Sequence, residues 1–179
     1  MSTDSRTREH PPAPAPDPHP WLTPVLPFLG VWTGTGEGHY PTLDEGFAFE
    51  QEMTFEHDGR PFLHYEARAW LVDPDGGRRP SGRENGWIRV GPDGYTEALI
   101  GQPTGIAEIH TGRVAGGVLR LTSTQVMGTP LAKEVTEARR EYAIDPDGRL
   151  RHTTDLAAVG HPLTRHLTTT LHHPQTPPP

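Results

Sequence analysis

The stretch GVWTGTGEGHYPT, residues 30–42, decides how the rest of the chain is read. Gly30, Trp32, Gly34, Gly36, Gly38 and Tyr40 share one parity. A strand sends alternate residues to the same face, so one face here carries an indole, then a row without side chains, then a phenol. On a barrel wall this is the inner face, with Trp32 plugging one end. Gly34, Gly36 and Gly38 then either leave empty volume beside the indole or let the strand coil sharply. The sequence leaves both readings open.

Outward from this strand the chain is punctuated by turns. PTLDEG (41–46), DG (58–59), DPDGG (73–77), PDG (92–94), GQPTG (101–105), AGG (115–117), MGTP (127–130), DPDG (145–148) and GHP (160–162) delimit ten segments. Most are strand-sized and rich in Val, Ile, Thr, Leu and aromatic residues. In 61–72, Phe62, His64, Glu66, Arg68 and Trp70 oppose Leu63, Tyr65, Ala67, Ala69 and Leu71, a period of two. The one helix candidate is WLTPVLPFL, Trp21–Leu29, which its prolines restrict to one or two turns. Short connections imply an antiparallel meander, and an even strand number lets the first and last strands pair. The expected fold is all-β, a ten-stranded antiparallel up-and-down barrel of the lipocalin (calycin) type with a short N-terminal helical turn. Closure removes the exposed edges and leaves an internal cavity.

Composition bounds the rest. The 179 residues include 20 Gly and 21 Pro and no Cys. Residues 1–20 carry six prolines in their last ten positions and 174–179 read PQTPPP, so both are expected as disordered tails around a folded domain at 21–173. Absence of cysteine excludes disulfides, thiolate metal sites and covalent haem attachment through C-x-x-C-H. It fits a reducing compartment, and no signal-peptide pattern or membrane-length apolar run is present, so a cytoplasmic protein with no membrane partner is expected. A net charge of −7 argues against a nucleic-acid surface. The composition leaves room for a homodimer.

GTGEGH is not a dinucleotide fingerprint, because the third glycine would fall on His39 and no helix pattern comes after it. Phosphate-loop, H-E-x-x-H and G-x-S-x-G patterns are absent. Eleven histidines are present, and those in AVGHPLTRHLTTTLHH, residues 158–173, stand out. Simple alternation in this segment groups His166, Thr168, Thr170 and His172 on one face, read as the inner one.

These residues resemble a known family. GVWTGTG matches the G-x-W-x-G-x-G signature (Gly30, Trp32, Gly34, Gly36) of the nitrobindins, haem-binding barrels related to fatty-acid-binding proteins. EGHYPT, GRPFLHY, ENGWIRV, PTGIAEIHTG, AKEVTEARREY and AVGHPLTRHLTTTLH resemble further family segments in order, over about residues 21–173. The resemblance implies one ferric b-type haem per chain in a wide cleft, with peroxynitrite isomerised to nitrate and nitric oxide bound as a ligand. It places the axial iron ligand, and hence the catalytic position, at His166. It further implies Lys133, Pro41, Thr42, Gly34 and Gly36 as haem-contacting positions. One departure is Gly82, which stands where many members carry a distal histidine. Two other functions use the same cavity: a non-catalytic carrier of a hydrophobic ligand, and a haem-based nitric oxide sensor or store.

Overall fold

The computed structural model describes residues 16–174, so the expected tail positions 1–15 and 175–179 lie outside the described residues. A 3-10 helix, Pro20–Phe28, leads into β1 (Gly30–Gly38), β2 (Phe47–His57), β3 (Phe62–Val72), β4 (Arg78–Val90) and β5 (Tyr95–Gly101). The chain continues through β6 (Ile106–Ala115), β7 (Val118–Gly128), β8 (Val135–Ile144), β9 (Leu150–Ala158) and β10 (Thr164–His172). Every strand pairs antiparallel with its sequence neighbours, and β1 pairs with β10, from Thr33–His172 to Gly38–Leu167. This is the closed ten-stranded up-and-down barrel that the turn spacing implies.

The helix covers nine residues, longer than the one or two turns expected. Pro24 and Pro27 lie inside it, and its bonds follow the i to i+3 pattern, such as Leu29 N–H to Leu26 O at 3.1 Å. Neither proline supplies an N–H, so the segment keeps to short-range 3-10 bonds between the residues that do. Leu22, Val25 and Phe28 turn inward and close one end of the barrel against a cluster that includes Trp32, Phe55, Leu63, Val90, Val114, Leu119 and Leu150. Trp32 is the plug expected from its parity, and its Nε1 donates to Phe28 O at 2.7 Å. Each such buried apolar side chain contributes about 1.5–3 kcal/mol. On β3 the inner face is Leu63, Tyr65 and Ala67, while His64, Glu66 and Arg68 lie on the other.

The glycine row is not empty. A Cβ at Gly34 would fall on the Thr170 carbonyl oxygen, and one at Gly36 would meet Phe49 Cζ and Thr168 O at 2.6 Å. At Gly38 the space is taken by Phe47 and Leu167. The row therefore serves close approach between β1, β10 and the β2 aromatics, and the empty-volume reading is corrected. Gly34 and Gly36 remain on the inner wall but covered by these neighbours.

Candidate functional site

Among the described residues no helix covers the opposite end of the barrel. There β7 and β8 separate: their ladder runs from Val118–Ala143 to Thr122–Arg139 and goes no further among the described residues. Past that point the Ser123 hydroxyl takes the Ala138 amide at 2.9 Å in place of a ladder bond. Where the wall parts, a cavity of about 240 Å³ is lined by Ile106, Val126, Ala132, Lys133, Glu134 and Val135, among others.

His166 enters this end from β10. Its strand starts after a tight turn in which His161 N–H bonds Ala158 O at 2.9 Å and Val159 and Gly160 both have positive φ, 47° and 79°. Simple alternation does not hold along β10. Arg165 pairs with Asp155 and Leu167 with Thr154, so His166 is the extra residue of a β-bulge. Past the bulge Thr169 and Leu171 are the buried positions, whereas Thr168 is exposed and Thr170 and His172 fall on its parity. The expected grouping of His166 with Thr168, Thr170 and His172 on the inner face is therefore corrected. A bulge re-aims a side chain, and here it sets the His166 ring beside Phe47, 6.2 Å between centroids, and edge-on to Tyr40 at 5.5 Å.

The ring is anchored at one nitrogen. Nδ1 of His166 lies 2.6 Å from the carbonyl oxygen of His39. A carbonyl only accepts, so Nδ1 carries the proton, and Nε2 has no protein partner among the described residues. Burial pulls the His166 pKa below its ordinary value, with the His39 carbonyl acting in the opposite sense. A neutral imidazole with Nδ1–H on a backbone carbonyl and an uncommitted Nε2 lone pair is the state a metal ligand requires. The donor chemistry therefore fits a residue that would hold a haem iron.

Of the other expected positions, Lys133 is exposed and its Nζ sits 4.7 Å from the centre of the Tyr40 ring, a cation–π contact. Pro41 is half-buried and Thr42 exposed, in the turn closed by Leu43 N–H to Tyr40 O. These three thus surround the same corner as His166. Gly34 and Gly36 lie further into the barrel, and Gly30 and Trp32 belong to the closed end. Gly82 lies on β4 at a bulge where it and Ser81 oppose Ala69, four strands round the ring from β10 by way of β1, β2 and β3. Among the described residues a Cβ there would meet only Ala69 Cβ, at 3.6 Å, so a side chain has room.

A buried polar layer beneath this end was not found by sequence motifs. Arg140, 2% exposed at its side chain, donates to Glu84 at 2.7 and 2.9 Å and to Glu108 at 2.9 and 3.0 Å. Glu108 also meets His110 Nε2 at 2.7 Å, and Gln102 donates to both carboxylates. The Tyr65 hydroxyl donates to Glu84 at 2.8 Å. Burial alone would raise the Glu108 pKa, but Arg140 and the bond from His110 outweigh it and bring it to about 2. Burial likewise opposes the Arg140 charge, and Glu108 and Glu84 restore it. Removing one partner of such a buried pair typically costs about 3–5 kcal/mol. The signal was present as parity: Glu84 alternates with Gly86 and Ile88, and Arg140 with Ala138 and Tyr142, so each charge occupies an inward position.

Comparison with known proteins places this geometry among relatives. Residues 21–173 match a family model described as THAP4-like, heme-binding beta-barrel domain. A Streptomyces griseus protein named peroxynitrite isomerase is 55% identical over 161 residues, covering 89% of this chain and 87% of its own length. A Saccharopolyspora erythraea protein named ferric nitrobindin-like protein is 39% identical over 150 residues, 82% of this chain and 70% of its own. The crystal structure of Rv2717c from M. tuberculosis aligns with a TM-score of 0.79 at 38% identity, over 89% of this chain and 100% of that one.

Proposed function

Because the chain belongs to the THAP4-like, haem-binding β-barrel family, we propose that it is a haem-dependent peroxynitrite isomerase, holding one ferric haem b per chain through His166 and also binding nitric oxide. The observation that carries this reading is the His166 ring, locked through Nδ1 to His39 O with Nε2 uncommitted at the end opposite the helix. Haem held there would supply a Lewis-acidic iron for a small anion.

The chain's own residues do the rest. The His39 carbonyl fixes the imidazole tautomer and enriches it in electron density. Phe47 and Tyr40 wall the ring and limit its rotation. Lys133, held over Tyr40, presents positive charge at the rim, which would draw an anionic substrate or pair with haem carboxylates. Ile106, Val126 and Val135 supply apolar contact for a macrocycle where β7 and β8 part. Gly82 has no side-chain donor on the far wall and would offer a bound ligand no hydrogen bond from that position. Of the described residues, no helix is long and apolar enough to cross a membrane. The cytoplasm is proposed as the site of action on the cysteine-free composition.

Hemin titration followed by rapid mixing with peroxynitrite tests the reading. The expected result is a histidine-ligated Soret band and accelerated nitrate formation, both lost in His166→Ala and kept in His172→Ala. Full retention of both by His166→Ala overturns the assignment. A normal band without turnover would make the protein a nitric oxide sensor or store.

A further inference from the structure

Tyr65 is fully buried, yet its hydroxyl is the one phenol among the described residues seen to donate to a carboxylate, Glu84 Oε2 at 2.8 Å. That carboxylate is held in place by two bonds from Arg140. Arg140 stands in register with Thr154, and Thr154 with Leu167, the residue next to His166. A phenol, its proton acceptor and the candidate haem corner are thus joined by hydrogen bonds and one cross-strand row.

The other tyrosines differ. Tyr142 packs 6.1 Å from Tyr65 and stacks on His152, but its buried hydroxyl has no partner among the described residues. Tyr40 lies nearer His166 but under the Lys133 ammonium, which disfavours removal of an electron from its ring. Tyr95 is 43% exposed at the other end of the barrel.

We propose that Tyr65 is a proton-coupled electron donor that reduces nitrogen dioxide escaping from the site to nitrite. One electron leaves the phenol for nitrogen dioxide, which becomes the nitrite anion. The phenolic proton passes along the 2.8 Å bond to Glu84, leaving a neutral phenoxyl radical on Tyr65. An oxidised phenol is a very strong acid, so even a carboxylate paired with arginine accepts its proton. The source of the radical, homolysis of the peroxynitrite O–O bond, rests on the function proposed above. The donor chemistry itself does not.

The test generates nitrogen dioxide by pulse radiolysis of nitrate solutions containing the haem-loaded protein, in a Tyr95→Phe background that removes the exposed phenol. A phenoxyl absorption and a tyrosyl radical signal in freeze-quenched samples are expected. Tyr65→Phe should lose most of both, Tyr142→Phe should keep them, and Glu84→Gln should slow their formation and abolish the slowing seen in deuterated water. Circular dichroism and the Soret band confirm that each variant is folded and loaded. An undiminished signal in folded Tyr65→Phe, or loss of the signal in Tyr142→Phe alone, overturns the proposal. Nitrate yield from peroxynitrite, measured separately on the parent protein, reports on the isomerase reading. A radical on Tyr65 without nitrate formation sinks only that reading, and nitrate formation without the radical sinks only this one.

Discussion

His166 and His39 hold each other by two bonds: the ring Nδ1 of His166 donates to His39 O at 2.6 Å, and the His39 amide donates to His166 O at 2.8 Å. The second bond extends the β1–β10 pairing one step past Gly38–Leu167, into the bulge itself. The main chain of one histidine thereby sets both position and tautomer of the other.

That pair makes a chemical prediction. In His166→Gly, added imidazole should restore a histidine-like Soret band, because its free N–H replaces the bond to His39 O. N-methylimidazole lacks that N–H and should restore it less well. His39→Ala should leave hemin affinity unchanged, since only its backbone is used. Equal rescue by the two imidazoles, read by titration, would remove the role given to the carbonyl.

Gly34→Ala tests the glycine row. Its Cβ would fall on the backbone oxygen of Thr170, which cannot rotate away. The expected cost is about 3 kcal/mol of folding stability, the upper end for overpacking, seen as a large drop in denaturation midpoint. A variant as stable as the parent would show that β1 and β10 have room to move apart.

The dependence on pH has a defined sign. Burial, reinforced by Arg140 and Arg165, lowers the His152 pKa to about 3. The unfolded state therefore takes up a proton that the folded state refuses. Stability contributed by neutral His152 is fully present above its unfolded value near 6.5 and is lost as pH falls toward about 3, by roughly 1.4 kcal/mol per unit. His166, also lowered by burial, acts in the same direction. Thermal melts between about pH 6.5 and about pH 5.5, above the range where ordinary carboxylates titrate, should show this slope, and His152→Gln should flatten it. An unchanged slope would show that His152 is not its source.

Val159 is a β-branched residue at φ 47°, in the turn that launches β10, and its N–H bonds Glu134 O at 3.0 Å next to Lys133. Asparagine adopts this conformation more readily. Val159→Asn should raise stability by about 1 kcal/mol in chemical denaturation. A loss of stability would mean that side-chain packing outweighs the backbone strain.

Gly82→His has space for the new ring on the wall across from β10. In haem-loaded, reduced protein the variant should release nitric oxide more slowly than the parent, measured by ligand-replacement kinetics. Identical off-rates would show that position 82 does not face the iron-bound ligand.

The architecture was legible in the sequence because each of its signals is local. Period-two alternation in β3, the nine turn signals and the Gly30–Tyr40 parity together imply an even-stranded meander, and Trp32 as an end plug comes from the same parity. His166 was singled out by its resemblance to a family pattern. Alternation grouped it with Thr168, Thr170 and His172, and that grouping fails because the bulge between Arg165 and Leu167 breaks the count of two. Whether Gly34 faces emptiness or the Thr170 carbonyl depends on how tightly β1 coils against β10, a contact between residues 136 positions apart. The parting of β7 from β8, and the meeting of Glu84, Glu108 and Arg140, likewise exist only once the barrel closes. Alternation along a strand fixes which residues share a face; ring closure and register decide which faces meet, and the site is built from those meetings.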